Sequence, residues 1–257
     1  MNQTSLKAVA DKILSKPKNV AFTGAGISTE SGIPDFRSPG GIWERFNPME
    51  YATIEAFRRD PVKAWEMFRE LSRILEEAEP NPAHLALARL EELGLLQAVI
   101  TQNIDNLHQE AGSKKVVEFH GNARRLVCEC GKSVEAELVK THWLEGRDFP
   151  PRCESCGAIM KPDVVLFGEP IPRTASQEAM RLAQHPNVFL VVGTSAVVAP
   201  ASYLPVVANK TGGCIVEINL EPTDLATGYA EHSLYGPAGE ILPALVELVE
   251  AGLGSST

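Results

Sequence analysis

The feature that most limits how this chain can fold is Val188-Phe189-Leu190-Val191-Val192, an unbroken apolar run that stops at Gly193-Thr194-Ser195. A run this short suits a buried strand, not a helix. It is not alone: Val20 to Phe22, Gln97 to Thr101, Val116 to Phe119 and Cys214 to Asn219 read as further strands, and Pro162 to Phe167 is apolar until Gly168-Glu169-Pro170 ends it. Between these runs the spacing turns helical. Apolar residues recur at 6, 9, 10, 13 and 14; Pro61 to Glu79 is stopped by Pro80; Asn81-Pro82 opens a helix that Gly94 caps; Ser176 to Gln184 and Gly239 to Ala251 follow, before a tail from Gly252 to Thr257 that reads as frayed. Strands alternating with helices predict an α/β fold with a mostly parallel sheet.

In open sheets of this kind ligands sit at the carboxyl ends of the strands. Here Gly24-Ala25-Gly26, Gln102-Asn103-Ile104-Asp105, His120, Gly193-Thr194-Ser195 and Asn219 each follow an apolar strand, so a parallel sheet would gather them at one rim. Each also has a plain structural reading: His120 as a hydrogen-bonded histidine, Asp105 as a helix N-cap, Asn219 as a turn former. Their joint placement favours a site. The glycine pair allows backbone amides to approach an anion closely. Thr29 nonetheless stands where the dinucleotide fingerprint has its third glycine, and the acid expected about 20 residues on falls near Glu44, beyond the Ser38-Pro39-Gly40-Gly41 breaker. The segment is therefore either a tight turn without chemistry or an unusual nucleotide loop. The next residues, with Trp43, Phe46, Met49, Tyr51 and Phe57 between breaks, read as a lid or as a covering for the sheet.

The chain of 257 residues is long enough for one large domain with an inserted module, and 44% hydrophobic with 22% charged residues is ordinary for a soluble globular protein. A formal net charge of −9 argues against direct nucleic-acid binding. No apolar stretch approaches the roughly 18 residues of a membrane span, and Met1 to Lys7 lacks the apolar core of a secretory signal, so a cytoplasmic protein without membrane contact is expected. Four of the five cysteines cluster as Cys128-x-Cys130, then 22 residues that begin with Gly131, then Cys153-x-x-Cys156-Gly157. In a reducing compartment that pattern suits one tetrahedral zinc ion, structural because a full shell of four thiolates leaves no open position. The first pair is one residue shorter than usual, which strains its knuckle at Cys128. Cys214, inside a strand, reads as a small buried hydrophobe.

Taken together, Gly24-Ala25-Gly26-Ile27-Ser28 through Gly32-Ile33-Pro34-Asp35-Phe36-Arg37, then Thr101-Gln102-Asn103-Ile104-Asp105, His120-Gly121, the four-cysteine module, Val164-Val165-Leu166-Phe167-Gly168-Glu169, Gly193-Thr194-Ser195 and Glu217-Ile218-Asn219 resemble the sirtuin family of NAD-dependent protein deacylases over about residues 5 to 250. The resemblance implies a Rossmann-like NAD-binding domain of residues 1–39, 81–121 and 161–257. It also implies a small domain formed by a helical insertion at 40–80 and a zinc module at 122–160. NAD and the acylated lysine of a protein substrate would meet between them. His120 would be the general base, with Asn103 and Asp105 holding the nicotinamide carboxamide and ribose. Gln102 would hold the ribose hydroxyls, and Phe36 would shield the reacting carbon. Gly24, Ala25, Gly26, Thr194 and Ser195 would serve the phosphates, with Ser28, Asp35, Arg37 and Gly193 in the same cofactor site, and Asn219 would take the adenosine ribose. Val164, Phe167, Gly168 and Glu169 would bind the peptide as an added strand, and Ile33 to Trp43 would move on NAD binding.

Relatives that remove negatively charged acyl groups resemble one another in a Tyr-x-x-Arg pair on the helix after the cofactor loop. This chain has Phe68 and Leu71 there, with Arg69 as the nearest cation, so an apolar channel for acetyl or longer uncharged chains is expected. The other activities this pattern allows are ADP-ribosyl transfer from the same cleft and an inactive NAD-sensing module.

Overall fold

The computed structural model describes residues 3–135 and 149–254; His142, the middle of the expected zinc module and the last three residues of the tail lie outside them. The strands are β1 (Asn19–Thr23), β2 (Leu96–Thr101), β3 (Val116–Glu118), β4 (Gly121–Val127), β5 (Ser133–Glu135), β6 (Lys161–Val164), β7 (Val188–Val192), β8 (Cys214–Asn219) and β9 (His232–Tyr235). Six of them form one sheet in the order β3-β2-β1-β7-β8-β9, with every neighbouring pair parallel. Counted within the sheet, this is the 3-2-1-4-5-6 order of the doubly wound dinucleotide fold, whose crevice opens where the order reverses, here between β1 and β7.

β1 and β7 are buried at every position because helices cover both faces of the sheet. On one face Leu6, Ile13, Leu87, Leu90, Leu242 and Leu245 from the Gln3–Ser15, Pro82–Glu92 and Ala238–Gly254 helices cover Val99, Leu190 and Val216. On the other, Leu182 and Leu204 from the Arg173–Ala183 and Tyr203–Lys210 helices cover Phe22, Ile100, Phe189 and Ile215. The Pro82–Glu92 helix starts in a reciprocal cap, with the Asn81 side chain accepting from the Ala83 N–H and His84 Nδ1 accepting from the Asn81 N–H. The closing helix continues to Gly254, through the start of the expected frayed tail.

A third core lies away from the parallel sheet, where Ile42, Trp65, Met67, Phe68 and Leu71 meet Leu126, Met160, Val164 and Leu166. The second group comes from the antiparallel sheet β5-β4-β6 and its flanks. Trp65, on the Pro61–Glu77 helix, donates its indole N–H to the Met160 carbonyl at 2.9 Å, tying that helix to the cysteine-bearing region. The apolar run from Pro162 to Phe167 divides: only Lys161–Val164 pairs with β4, while the Val165 N–H binds the His120 carbonyl and the Phe167 N–H binds that of Ala52. No helix among the described residues is long and apolar enough to cross a membrane.

Candidate active site

The floor of the site is a backbone clasp between the ends of β1 and β7. The Gly24 N–H donates to the Val192 carbonyl at 3.1 Å and the Gly26 N–H to the Gly193 carbonyl at 2.8 Å. A Cβ on Gly26 would lie 2.8 Å from Gly193 Cα, and one on Gly193, where φ is +57°, would lie 2.3 Å from the Ile27 N. Glycine is required here because two main chains touch. The amides of Gly24 and Gly26, expected to face an anion, are thus already bound to carbonyls. A 3-10 helix, Ala25–Ser31, leads the chain away from the clasp.

Behind this floor lies a buried polar network. Ser28 Oγ donates to Asp105 Oδ2 at 2.7 Å and accepts from Asn103 Nδ2 at 2.9 Å. Asn103 also donates to the Gly24 carbonyl at 3.1 Å, and Asp105 Oδ1 accepts the Leu107 N–H at 3.0 Å. Since Nδ1 of His84 accepts from Asn81, its Nε2 carries the hydrogen and points it at Ser28 Oγ, 3.5 Å away. His108 Nε2 meets Thr23 Oγ1 at 2.9 Å, and its ring packs edge-on against His84 at 4.8 Å between centroids. Burial holds His84 neutral, with its pKa lowered to about 4. Burial, and then the neighbouring His84, put His108 well below the usual value. Burial raises the pKa of Asp105, against the hydrogen bonds from Leu107, Ser28 and Asn103 that favour the carboxylate.

His120 stands at the carboxyl end of β3. Its Nδ1 lies 3.1 Å from the Gln102 carbonyl, which only accepts, so Nδ1 carries the hydrogen and Nε2 keeps its lone pair. Burial lowers its pKa, and the bond to Gln102 partly opposes that. Gln102 in turn donates to Thr194 Oγ1 at 2.9 Å, linking the end of β2 to that of β7.

His120 lines a cleft of about 890 Å³. Gly24, Ala25, Gly26, Asp35, Phe36, Arg37, Gln102, Asn103, Gly193, Thr194, Ser195 and Asn219 line it too, as do Val164, Phe167, Gly168 and Glu169. Ser28 and Asp105 are not on its wall, and Asp105 instead borders a smaller apolar cavity of about 30 Å³. The Glu169 carboxylate is engaged with Lys161 Nζ at 3.0 Å and the Leu166 N–H at 2.8 Å, so it holds the segment's own turn. Asp35 caps the N–H groups of Arg37 and Ser38. Phe36 packs near Trp43, with centroids 5.1 Å apart, and Trp43 reaches Phe167 at 6.1 Å. Trp43 falls within the stretch the sequence reads as a lid or covering, whereas the His84–Ser28 link is not marked as part of a site by the sequence. The Asn81-x-x-His84 spacing at a helix start is the only visible trace of the latter.

The four sulfurs of Cys128, Cys130, Cys153 and Cys156 lie within 4.8 Å of one another, with Cys128–Cys156 at 3.4 Å and Cys130–Cys153 at 3.7 Å. A tetrahedron with Zn–S bonds of about 2.3 Å has edges of roughly 3.8 Å, so the shell fits zinc despite the short first pair. The donors lining the cleft, namely Arg37, hydroxyls of Thr194 and Ser195 and the amides of Gln102 and Asn219, suit an elongated ligand with an anionic centre and ribose hydroxyls.

Comparison with known proteins agrees with this geometry. A protein of Pyrococcus furiosus named NAD-dependent protein deacylase is 50% identical over 239 residues, covering 92% of this chain and 95% of its own. A Sir2 homologue solved with NAD superposes with a TM-score of 0.87 at 42% identity, covering 96% of this chain and 94% of its own. A Sir2 protein bound to a myristoylated histone peptide superposes with a TM-score of 0.81 at 39% identity, over 99% and 100% of the two chains. With the profile of the Sir2 family matching residues 24–200, the chain belongs to the Sir2 family.

Proposed function

We propose that this chain is an NAD-dependent protein-lysine deacylase that moves an acyl group from a lysine side chain to ADP-ribose and releases nicotinamide. The observation that carries the reading is His120: a neutral imidazole with a fixed tautomer, its lone-pair nitrogen belonging to a side chain that lines the cleft shared by the cofactor loop and the Val164–Glu169 segment. NAD, consumed in the reaction, supplies an electrophilic ribose carbon and a leaving group that departs as a neutral ring. The amide oxygen of the acyl-lysine bonds that carbon as the nicotinamide leaves; His120 then takes a proton from a ribose hydroxyl, whose oxygen bonds the acyl carbon, and with one water added there the lysine departs as its free amine. Asn103 presents its amide from a position fixed by Ser28 and the Gly24 carbonyl, and Asp105 anchors Ser28 from behind. Arg37, Thr194 and Ser195 serve the diphosphate, Asn219 the adenosine ribose, and Phe36 keeps water from the reacting carbon. The separate core around Trp65 supports the division into a Rossmann-like domain and a small domain of residues 40–80 and 122–160. A cytoplasmic setting, which keeps thiols reduced, suits the four-cysteine shell. The assay is NAD-dependent loss of acyl from a lysine peptide by mass spectrometry. A gain of ADP-ribose on the protein substrate instead would overturn the reading in favour of transfer chemistry, and absence of NAD binding would remove both.

The acyl group belongs in an apolar channel. Met67, Phe68, Leu71, Ile104, Val164 and Leu166 form one wall of the cleft. Phe68, Leu71, Ile104 and Val164 also border the smaller cavity, which continues among Trp65, Leu75, Ala123 and Leu126. Arg69 borders neither, because its guanidinium lies over the Phe149 ring at 5.3 Å. Arg124, at the cavity, is paired with Glu110 at 2.8 Å. A carboxylate-bearing acyl chain would be desolvated without a free cation, so acetyl- or longer uncharged acyl-lysine peptides should turn over at least about tenfold faster than succinyl-lysine ones. Faster desuccinylation would sink this assignment.

A further inference from the structure

Glu217 sits within β8 with no exposure to solvent, and the deacylation mechanism does not use it. Its two carboxylate oxygens are divided between two elements. Oε1 accepts the Thr223 N–H at 3.1 Å and the Thr223 hydroxyl, on the turn after β8. Oε2 accepts the hydroxyls of Ser233 at 3.3 Å and Tyr235 at 3.4 Å, both on β9. Among the described residues no lysine or arginine forms an ion pair with it. A buried carboxylate without a counter-charge is costly, and an apolar residue, as at the neighbouring β7 positions, would serve packing better. Glu217 is therefore placed to do something that packing alone does not need.

Both elements it grips run directly into the cleft wall. Asn219, Leu220, Glu221, Pro222 and Thr223 line the cleft after β8, and Gly236, Pro237 and Ala238 line it after β9. The two segments are closed together by the Gly236 N–H on the Asn219 carbonyl at 2.9 Å, and the Asn219 side chain reaches the Thr194 carbonyl at 3.4 Å. Holding the Thr223 turn on one oxygen and β9 on the other sets the distance between these walls from behind.

We propose that Glu217 is a positioning residue for the adenosine half of NAD: a buried two-sided clamp that fixes the two wall segments around Asn219. The proposal rests on reading the cleft as the NAD site. It concerns only the part of the cleft remote from His120, so it separates NAD affinity from chemistry. The test is Glu217→Gln, which keeps the shape and one acceptor oxygen but places an NH2 group where the second oxygen was. Calorimetry with NAD and ADP-ribose should show binding weakened about tenfold, with KM for NAD rising in step and kcat changing far less. KM for the acyl-lysine peptide and inhibition by free nicotinamide, neither of which uses the adenosine walls, should stay within about twofold of the parent. A Ser233→Ala, Tyr235→Phe double variant removes only the β9 side, and should show an intermediate loss even if Glu217→Gln fails to fold. The proposal is overturned if a folded variant binds NAD as tightly as the parent. It is equally overturned if peptide and nicotinamide affinities fall in the same proportion, which would mark general loosening. If the parent itself binds no NAD, the reading of the cleft fails instead.

Discussion

Acidification should find a weak point in the buried His84. Its Nδ1 accepts from the Asn81 N–H, so a second proton would set two donors against each other and break the reciprocal helix cap. Burial lowers its pKa to about 4, against about 6.5 in an unfolded chain. Above pH 6.5 both states are neutral and the residue is indifferent to pH. Below that value the unfolded chain binds a proton that the native site refuses, so stability falls as pH drops from about 6.5 to about 4, then levels off. At about 1.4 kcal/mol per unit, the window amounts to about 3 kcal/mol, a large share of a typical folding stability of roughly 5–15 kcal/mol. The assay is denaturant unfolding across this pH range for the parent and for His84→Asn, which keeps an acceptor near the Asn81 N–H and cannot titrate. Both proteins carry all the cysteines, so acid loss of metal cancels in the difference, and because burial is the first cause of the His108 shift and His84 only the second, most of the His108 protonation cancels too. The parent should lose about 3 kcal/mol more than the variant over the window. Equal losses, or a His84 ring signal that titrates near 6.5 by NMR, would refute the reasoning.

Replacing His120 with Ala should cut turnover by at least about a hundredfold while NAD still binds, measured by deacylation rate and calorimetry. Because burial lowers the His120 pKa, the base form persists into mild acid, and the acid limb of kcat/KM should fall below the usual imidazole value; a limb above it would contradict the assignment. Gly193→Ala would force a Cβ to 2.3 Å from the Ile27 N at a φ of +57°, and should lower the melting temperature and abolish NAD binding together. Cys153→Ser should release close to one zinc ion per chain by elemental analysis and destabilise the core around Trp65, and a chelator should do the same to the parent. A metal-free parent with unchanged stability would falsify the four-cysteine zinc site.

The parts of the fold legible in the sequence are those driven by burial on both faces. Val188–Val192 and Cys214–Asn219 have the bounds of their apolar runs, and β2 differs by one residue at Leu96. β9 leaves no such mark, because an edge strand with only Leu234 fully buried has no apolar run. β4 is hidden for a related reason: Ala123, Arg124 and Arg125 interrupt it, and Arg125 is held by Glu118 and Asp163 across space. The strand ends do gather into one cleft, as the alternation implies. What spacing cannot reveal is which groups face it. Gly26 spends its amide on Gly193, Glu169 spends its carboxylate on Lys161 and Leu166, and Asp105 stands behind the wall. The first is a contact between main chains 167 positions apart and the second a turn closed on its own segment, and neither leaves a mark in the spacing of apolar residues.

The clasp between Gly26 and Gly193 also sets an order of events during synthesis. β1 is the first strand to leave the ribosome, yet it ends in the middle of the sheet, between β2 and a β7 that arrives only after the helical insertion and the cysteine module have been made. Until β7 emerges, one edge of β1 remains unpaired and the floor of the crevice does not exist. The nucleotide therefore cannot assist the nascent chain early on, and a chain halted before Val188 is expected to aggregate through that open edge without binding NAD. The seal between the two strand ends is a late checkpoint of folding as well as the base on which catalysis rests.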